Sequence, residues 1–424
     1  MAEAATGAAP PAALASWIEG ALGGAVAGWR RLVSGNSRTT WAADLVRGEE
    51  TLPLVVRVDE GDGPFSGSAL TLEREARAYA AVEGHGLPVP AFYAYDDGLR
   101  ALVTERVAGA PAWDDEVLAA VLGAAARLHA LEVGELELPG FARDARGELE
   151  LWAGMAAERI APRSELADFA FDFLRERFPG EPPRRVFVHG DLGVGNTMWD
   201  GRVTGLLDWE MAHVGDPLDD LAFLAVRTAL HELDLEGFGT TVREHYDNAV
   251  ILDPERFRYW QALGVLRNLV ICRASISNPA PGKDRFVHFM LVPALERMLI
   301  GTLATMASID LPPTPTPTLD PPPEPPTADL FHEFARELSD LPAEISDPER
   351  RQRVRRMRHL FSQLADTWPQ ATEIARLEQT EPPATTQADR ILQLAARADR
   401  RLALFPRAAK MAGRRLAQLD DLAG

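Results

Sequence analysis

The residues best suited to chemistry sit in one stretch, Val186-Phe187-Val188-His189-Gly190-Asp191-Leu192-Gly193-Val194-Gly195-Asn196. An apolar run leads directly into His-Gly-Asp, and four residues separate Asp191 from Asn196. A second apolar run, Gly205-Leu206-Leu207, ends in Asp208 and is followed by Trp209-Glu210. Phosphoryl transfer asks for such a group of side chains. Its transition state is loose and highly charged, so catalysis is mostly positioning and charge neutralisation. One carboxylate must hold or deprotonate the attacking hydroxyl. A second carboxylate and a side-chain carbonyl oxygen can hold Mg²⁺, a hard cation that prefers oxygen ligands. A lone Asp at a strand end or helix start reads as a cap. The ordered set, each member at the end of an apolar strand, reads as a catalytic centre.

Protein kinases use the same Asp-x-x-x-x-Asn spacing, followed by a metal-binding Asp. Here His-Gly-Asp stands for His-Arg-Asp, and Asp-Trp-Glu for Asp-Phe-Gly. From His189 through Ala222, HGDLGVGNTMW…GLLDWEMAHVGDPLDDLA resembles the aminoglycoside phosphotransferase and choline kinase superfamily of small-molecule kinases. The resemblance extends over about residues 30–305. It implies a bilobal, α+β, protein-kinase-like fold, with an antiparallel-sheet N-lobe and a mostly helical C-lobe. It makes Asp191 the catalytic base or hydroxyl-positioning group and Asn196 and Asp208 the Mg²⁺ ligands, with His189 bracing the loop. Glu210 becomes a water-mediated metal contact, and Asp216 and Asp220 structural carboxylates.

The same resemblance sets expectations for the nucleotide. Arg57, in Leu54-Val55-Val56-Arg57-Val58, stands where the wider kinase group has Lys, and its fork can pair with phosphates. Either Glu73 or Glu75 would aim it, and the family pattern favours Glu75. Ser34-Gly35-Asn36-Ser37 is the expected phosphate-facing turn, placed just before the first strand. Thr104, Glu105 and Val107 are the expected hinge, whose backbone would hydrogen-bond adenine; ATP is the expected donor, with GTP as a rival because the hinge reads through backbone. Trp209 and His213 lie near the chemistry and read either as flanking the acceptor or as structural. Arg267, Asn268 and Arg273 read as partners of nearby carboxylates within helical packing.

Positioning these residues requires a sheet and then helices. Strands are expected at 40–46, 53–58, 92–95 and 100–107, with a helix at 69–83. Residues 12–32 read as one amphipathic helix ending in Arg30 and Arg31. Helices are expected at 116–131, at 165–178, and from 218 to about 307. The domains are then 1–29, a tail and helix; 30–107, the nucleotide-binding N-lobe; and 108–310, the C-lobe. A Pro-rich linker at 311–326 and a helical bundle at 327–424 of unknown role follow. Bundle helices are expected at 328–338, 347–368, 386–404 and 408–422.

The chain has 424 residues, a net charge of −19 and one cysteine, Cys272. The acidic balance argues against nucleic acid and anionic lipid as partners. A single cysteine rules out an internal disulfide and favours a cytoplasmic home. No run reaches the roughly 18 uninterrupted apolar residues of a membrane span. The expected partner is a small-molecule hydroxyl acceptor, with 327–424 as a possible surface for a homodimer or a protein partner. Local basicity at 350–358 reads as a solvated helix face. A rival reading of another class is a catalytically silent kinase-like module whose C-terminal bundle recruits a partner.

Overall fold

The computed structural model describes residues 12–32, 38–61, 65–138, 144–230, 237–246, 253–278, 286–311, 326–339 and 348–405, with a few isolated positions between. The expected phosphate turn at 34–37, the Pro-rich stretch at 312–325 and the helix expected at 408–422 lie outside the described residues.

The N-terminal helix α1 (Ala12–Leu22) stops ten residues earlier than its periodicity predicts, and Ala25–Leu32 is the strand β1. Gly23 and Gly24 make the break, with φ of +72° and +101°. A Cβ on Gly24 would lie 2.5 Å from the Val46 carbonyl oxygen. The sheet therefore begins inside the segment assigned to the tail and helix. β2 (Thr39–Arg47), β3 (Glu50–Val58), α2 (Leu72–Val82), β4 (Phe92–Asp96) and β5 (Ala101–Glu105) complete the N-lobe. The five strands pair antiparallel in the order β1-β2-β3-β5-β4. Successive strand residues face opposite sides. Leu54 and Val56 pack with Leu14 and Ile18 of α1, which leaves Arg57 on the side of α2.

The C-lobe begins with α3 (Asp115–Ala130), α4 (Ala145–Arg159) and α5 (Glu165–Glu176). Helix α4 is absent from the sequence reading. Its buried stripe of Leu149, Trp152 and Met155 is interrupted by Glu148, itself buried because it accepts a 2.7 Å bond from Trp152 Nε1. Two small antiparallel pairs follow: β6 (Val186–Val188) with β9 (His213–Gly215), and β7 (Thr197–Trp199) with β8 (Val203–Leu206). They are enclosed by α6 (Pro217–Leu230), α7 (Phe238–His245), α8 (Pro254–Ser277) and α9 (Phe286–Met306). Helix α9 is apolar and long enough to cross a bilayer, yet most of it is buried within the fold.

Beyond the Pro-rich stretch come α10 (Pro326–Glu337), α11 (Pro348–Thr380) and α12 (Gln387–Ala403). Helix α11 runs through Pro369, where the sequence reading ended it at 368. Helices α10 and α11 pack on each other, with Phe331 and Phe334 against Phe361. Helix α12 belongs to the C-lobe, where Ile391, Leu394, Ala395 and Ala398 join the main core. Arg297 and Asp399 pair at 2.6 Å, and Arg177 donates to Gln387 at 2.8 Å. Arg355 and Arg358 of the basic run are exposed.

Truncating Ile391 to Ala should lower unfolding stability by about 2–5 kcal/mol, the usual cost of emptying a buried aliphatic site. Urea unfolding measures this, and an unchanged midpoint would contradict the place of α12 in the core.

Candidate active site

Strand β6 is wholly buried and delivers the chain to His189. The next turn is held by a single carboxylate: Asp220, on α6, accepts the His189 and Gly190 amides at 2.8 Å each. His129 Nε2 lies 3.0 Å from the same carboxylate, and His129 Nδ1 lies 2.6 Å from the Tyr246 hydroxyl. Burial is the largest single influence and would lift the Asp220 pKa, but the His129 hydrogen bond, the nearby imidazoles and the His189 amide together hold the carboxyl below its ordinary range. Burial lowers the His189 pKa and keeps the imidazole neutral. Its Nδ1 accepts the Asp191 amide at 3.2 Å, which ties the imidazole to the loop backbone.

Asp191 and Asn196 form one unit. Asn196 Nδ2 donates to the Asp191 carboxylate at 2.8 Å and to the Asp191 carbonyl at 2.9 Å. Those bonds use the amide nitrogen and leave the Asn196 side-chain oxygen as a ligand atom. The Asn196 carbonyl in turn accepts the Leu207 amide at 2.8 Å, which joins this loop to the Asp208 segment. Burial pushes the Asp191 pKa up, opposed first by Arg227, whose Nε is 3.5 Å from Oδ1.

Asp208 lies just beyond β8 with φ of +68°, a conformation a non-glycine residue rarely takes. Its amide donates to the Tyr79 hydroxyl at 3.3 Å. Its Oδ1 accepts from both terminal nitrogens of Arg57 at 3.1 Å. Arg57 also bonds Glu75. The choice between the two glutamates is thereby resolved, since Glu73 pairs with Arg77 at the surface. Burial works to lower the Arg57 pKa, but Asp208 and Glu75 raise it further and keep the guanidinium charged. Burial lifts Glu75 to about 7 against the pull of Arg57.

Single oxygens of Glu75, Asp208 and Glu210 lie within 4.8 Å of one another. Glu75 is tied to Arg57, while Glu210 lies 3.3 Å from the buried Arg38. Each of the three carboxylates therefore meets an arginine, Asp208 through its Oδ1 to Arg57. Asp208 and Asn196 remain the oxygen set that the sequence reading assigns to a hard cation.

Other expected residues fall into two groups. Thr104 and Glu105 end β5, where the Glu105 amide bonds the Ala91 carbonyl at 2.9 Å. Val107 follows; a Cβ added to Gly205 would lie 3.0 Å from its Cγ2, so that residue packs against the Asp208 segment. Trp209 and His213 are both buried and bond within the protein. Trp209 is fully buried, 4.5 Å from the His189 ring centre, and donates to the Leu206 carbonyl. His213 is buried with Nε2 3.2 Å from Asp219. Arg267 pairs with Asp219, Asn268 bonds the Gly264 carbonyl and Arg273 pairs with Glu296, as the structural reading expects. Arg38 and Arg227 carry no local motif and are missed by sequence reasoning.

Gly190 is where this architecture is least forgiving. Its φ is +82°, and a Cβ would stand 2.3 Å from the Met211 carbonyl oxygen. Gly190→Ala should cost about 1–3 kcal/mol for the backbone conformation alone. A wild-type denaturation curve for that variant would refute the packing described.

The model of the phosphotransferase enzyme family matches residues 28–260, more than half of the chain. Human acyl-CoA dehydrogenase family member 11 is 26% identical over 190 residues, covering 39% of this chain and 24% of that protein. Viomycin phosphotransferase of Streptomyces vinaceus is 34% identical over 137 residues, covering 28% of this chain and 48% of that enzyme. The chain thus spans about a quarter to a half of the curated relatives it matches. Ethanolamine kinase of Plasmodium vivax shares the fold, with a TM-score of 0.50 at 12% identity over 63% of this chain and 81% of that one. The chain belongs to the phosphotransferase enzyme family.

Proposed function

We propose that the protein transfers the γ-phosphoryl group of ATP, with Mg²⁺, to a hydroxyl of a small molecule. The observation that carries this reading is the convergence of Asp191 and Asn196 with the Arg57–Glu75–Asp208 ion triad. Asp191 receives the acceptor hydroxyl and its proton. The freed oxygen bonds the γ-phosphorus as the bond to the β–γ bridging oxygen breaks and ADP departs. Asn196 and Asp208 are the residues that would hold Mg²⁺, which supplies positive charge to the phosphates. Arg57, aimed by Glu75, offers its fork to the phosphates from the sheet side.

The Glu105 amide is used by Ala91 and the Arg106 amide by Pro53. Recognition of the base therefore falls to the Glu105 carbonyl and the Val107 backbone, a set that serves guanine as well as adenine. The acceptor is proposed only as a hydroxylated small molecule. The name of viomycin phosphotransferase is consistent with that class.

Turnover of Mg·ATP across a panel of aminoglycosides, amino alcohols, sugars, nucleosides and hydroxy acids tests the reading. Asp191→Ala should lower turnover by about 10²–10⁴-fold, the range for a proton-transfer group, while AMP-PNP binding persists. Asp208→Ala should abolish Mg²⁺-dependent AMP-PNP binding by calorimetry. Wild-type protein that binds no Mg·AMP-PNP would favour the silent kinase-like module instead.

The two glutamates of α2 should also separate. Glu75→Gln should weaken AMP-PNP binding by about tenfold, near 1.4 kcal/mol, whereas Glu73→Gln should leave it at the wild-type value. Equal effects of the two changes would contradict the role given to Glu75.

A further inference from the structure

Two glycines of the loop, Gly193 and Gly195, lack the usual reason for a glycine, because neither has a positive φ. At Gly193 what is lacking is room for a side chain, whereas Gly195 is only in ordinary contact with the same neighbour. A Cβ on Gly193 would lie 2.9 Å from Cβ, 3.2 Å from Cγ and 3.4 Å from Nε of Arg227. A Cβ on Gly195 would come within 3.4 Å of Nη2 of the same residue. The stem and head of Arg227 therefore run along the bare face of the loop and end beside Asp191, with Nε 3.5 Å from Oδ1.

Arg227 arises from α6, seven residues after Asp220. Seven residues are two helical turns, so both project from one helix face. The carboxylate that fixes the loop and the cation that lies on it are thus set by a single rigid element. Arg227 Nε makes no hydrogen bond among the described residues, and its side chain is 24% exposed. Of the other arginines near the centre, Arg57 meets Glu75 and Asp208 on the sheet side and Arg38 meets Glu210 and the Leu70 carbonyl, whereas Arg227 is the one paired with Asp191.

We propose that Arg227 is a catalytic cation that meets the transferring phosphoryl group on the Asp191 side, with Gly193 kept bare to admit it. This rests on the phosphotransfer reading above. A transferring phosphoryl group spreads negative charge over its three equatorial oxygens. Beside it stands the Asp191 carboxylate, itself an anion. A guanidinium between the two offsets both charges and presents several donors in a fixed plane.

Single-turnover hydrolysis of Mg·ATP tests this without knowledge of the acceptor: water attacks the γ-phosphorus, and ADP and inorganic phosphate are released. Arg227→Ala should slow the step by at least about 10²-fold, since an arginine acting on this transition state is worth 10³–10⁵ in comparable enzymes. Its AMP-PNP affinity should match wild type, Arg227→Lys should keep part of the rate, and non-denaturing guanidinium should restore Arg227→Ala but not Asp191→Ala. An Arg227→Ala protein as fast as wild type overturns the proposal. So does one whose lost rate guanidinium cannot restore, because the residue is then structural; in both cases the kinase reading stands. Wild-type protein that neither binds AMP-PNP nor hydrolyses ATP removes the kinase reading, and this inference with it.

Discussion

Burying the Arg57 guanidinium between Glu75 and Asp208 is the constraint on which the centre depends. A buried charge is costly unless it is paired and hydrogen-bonded, and removing one partner of such a set is far worse than never having built it. The three residues come from β3, from α2 and from the segment after β8. Meeting the charge requirement therefore fixes the sheet, its helix and the C-lobe against one another. Arg74 adds to the same junction by donating to the Ala212 carbonyl at 3.0 Å and stacking over Phe141 at 4.2 Å.

The C-lobe side is governed by a different device. Asp220 satisfies two consecutive amides that no regular element reaches, and the buried His129 and Tyr246 hold Asp220 in turn. The loop is thereby set by groups remote from the chemistry. That leaves the Asp191 carboxylate to bond the Asn196 side chain rather than backbone amides. The positive φ of Asp208 fits this division of labour: strained backbone persists where its surroundings over-determine it, as the Tyr79 hydroxyl and Arg57 do here.

Much of this was legible in the sequence, because the chemistry clusters in short segments. His189, Asp191, Asn196 and Asp208 stand at the ends of apolar runs whose spacing is itself informative, and the alternation of 53–58 marks the strand that carries Arg57. What escaped did so for physical reasons. Ala, Val and Trp in 25–32 suit a strand edge as well as a helix, and only the Gly23-Gly24 pair marked the break. Helix α4 was hidden by Glu148, a buried acid that interrupts an apolar stripe because it serves Trp152. Helix α12 looked detached because the Pro-rich stretch separates it in sequence, though its apolar face belongs to the C-lobe core. Arg38 and Arg227 reach the centre from distant positions. Only Gly193, bare without a positive φ, hinted that something lay over the loop.

The measurement that tests the central claim most directly is a crystal structure with AMP-PNP and Mn²⁺, read by the anomalous signal of the metal. The account predicts metal on Asn196 and Asp208, with the γ-phosphate directed at the Asp191 carboxylate. Metal held by Glu75 and Glu210 with Asn196 free, or a nucleotide bound away from Arg57, would contradict it.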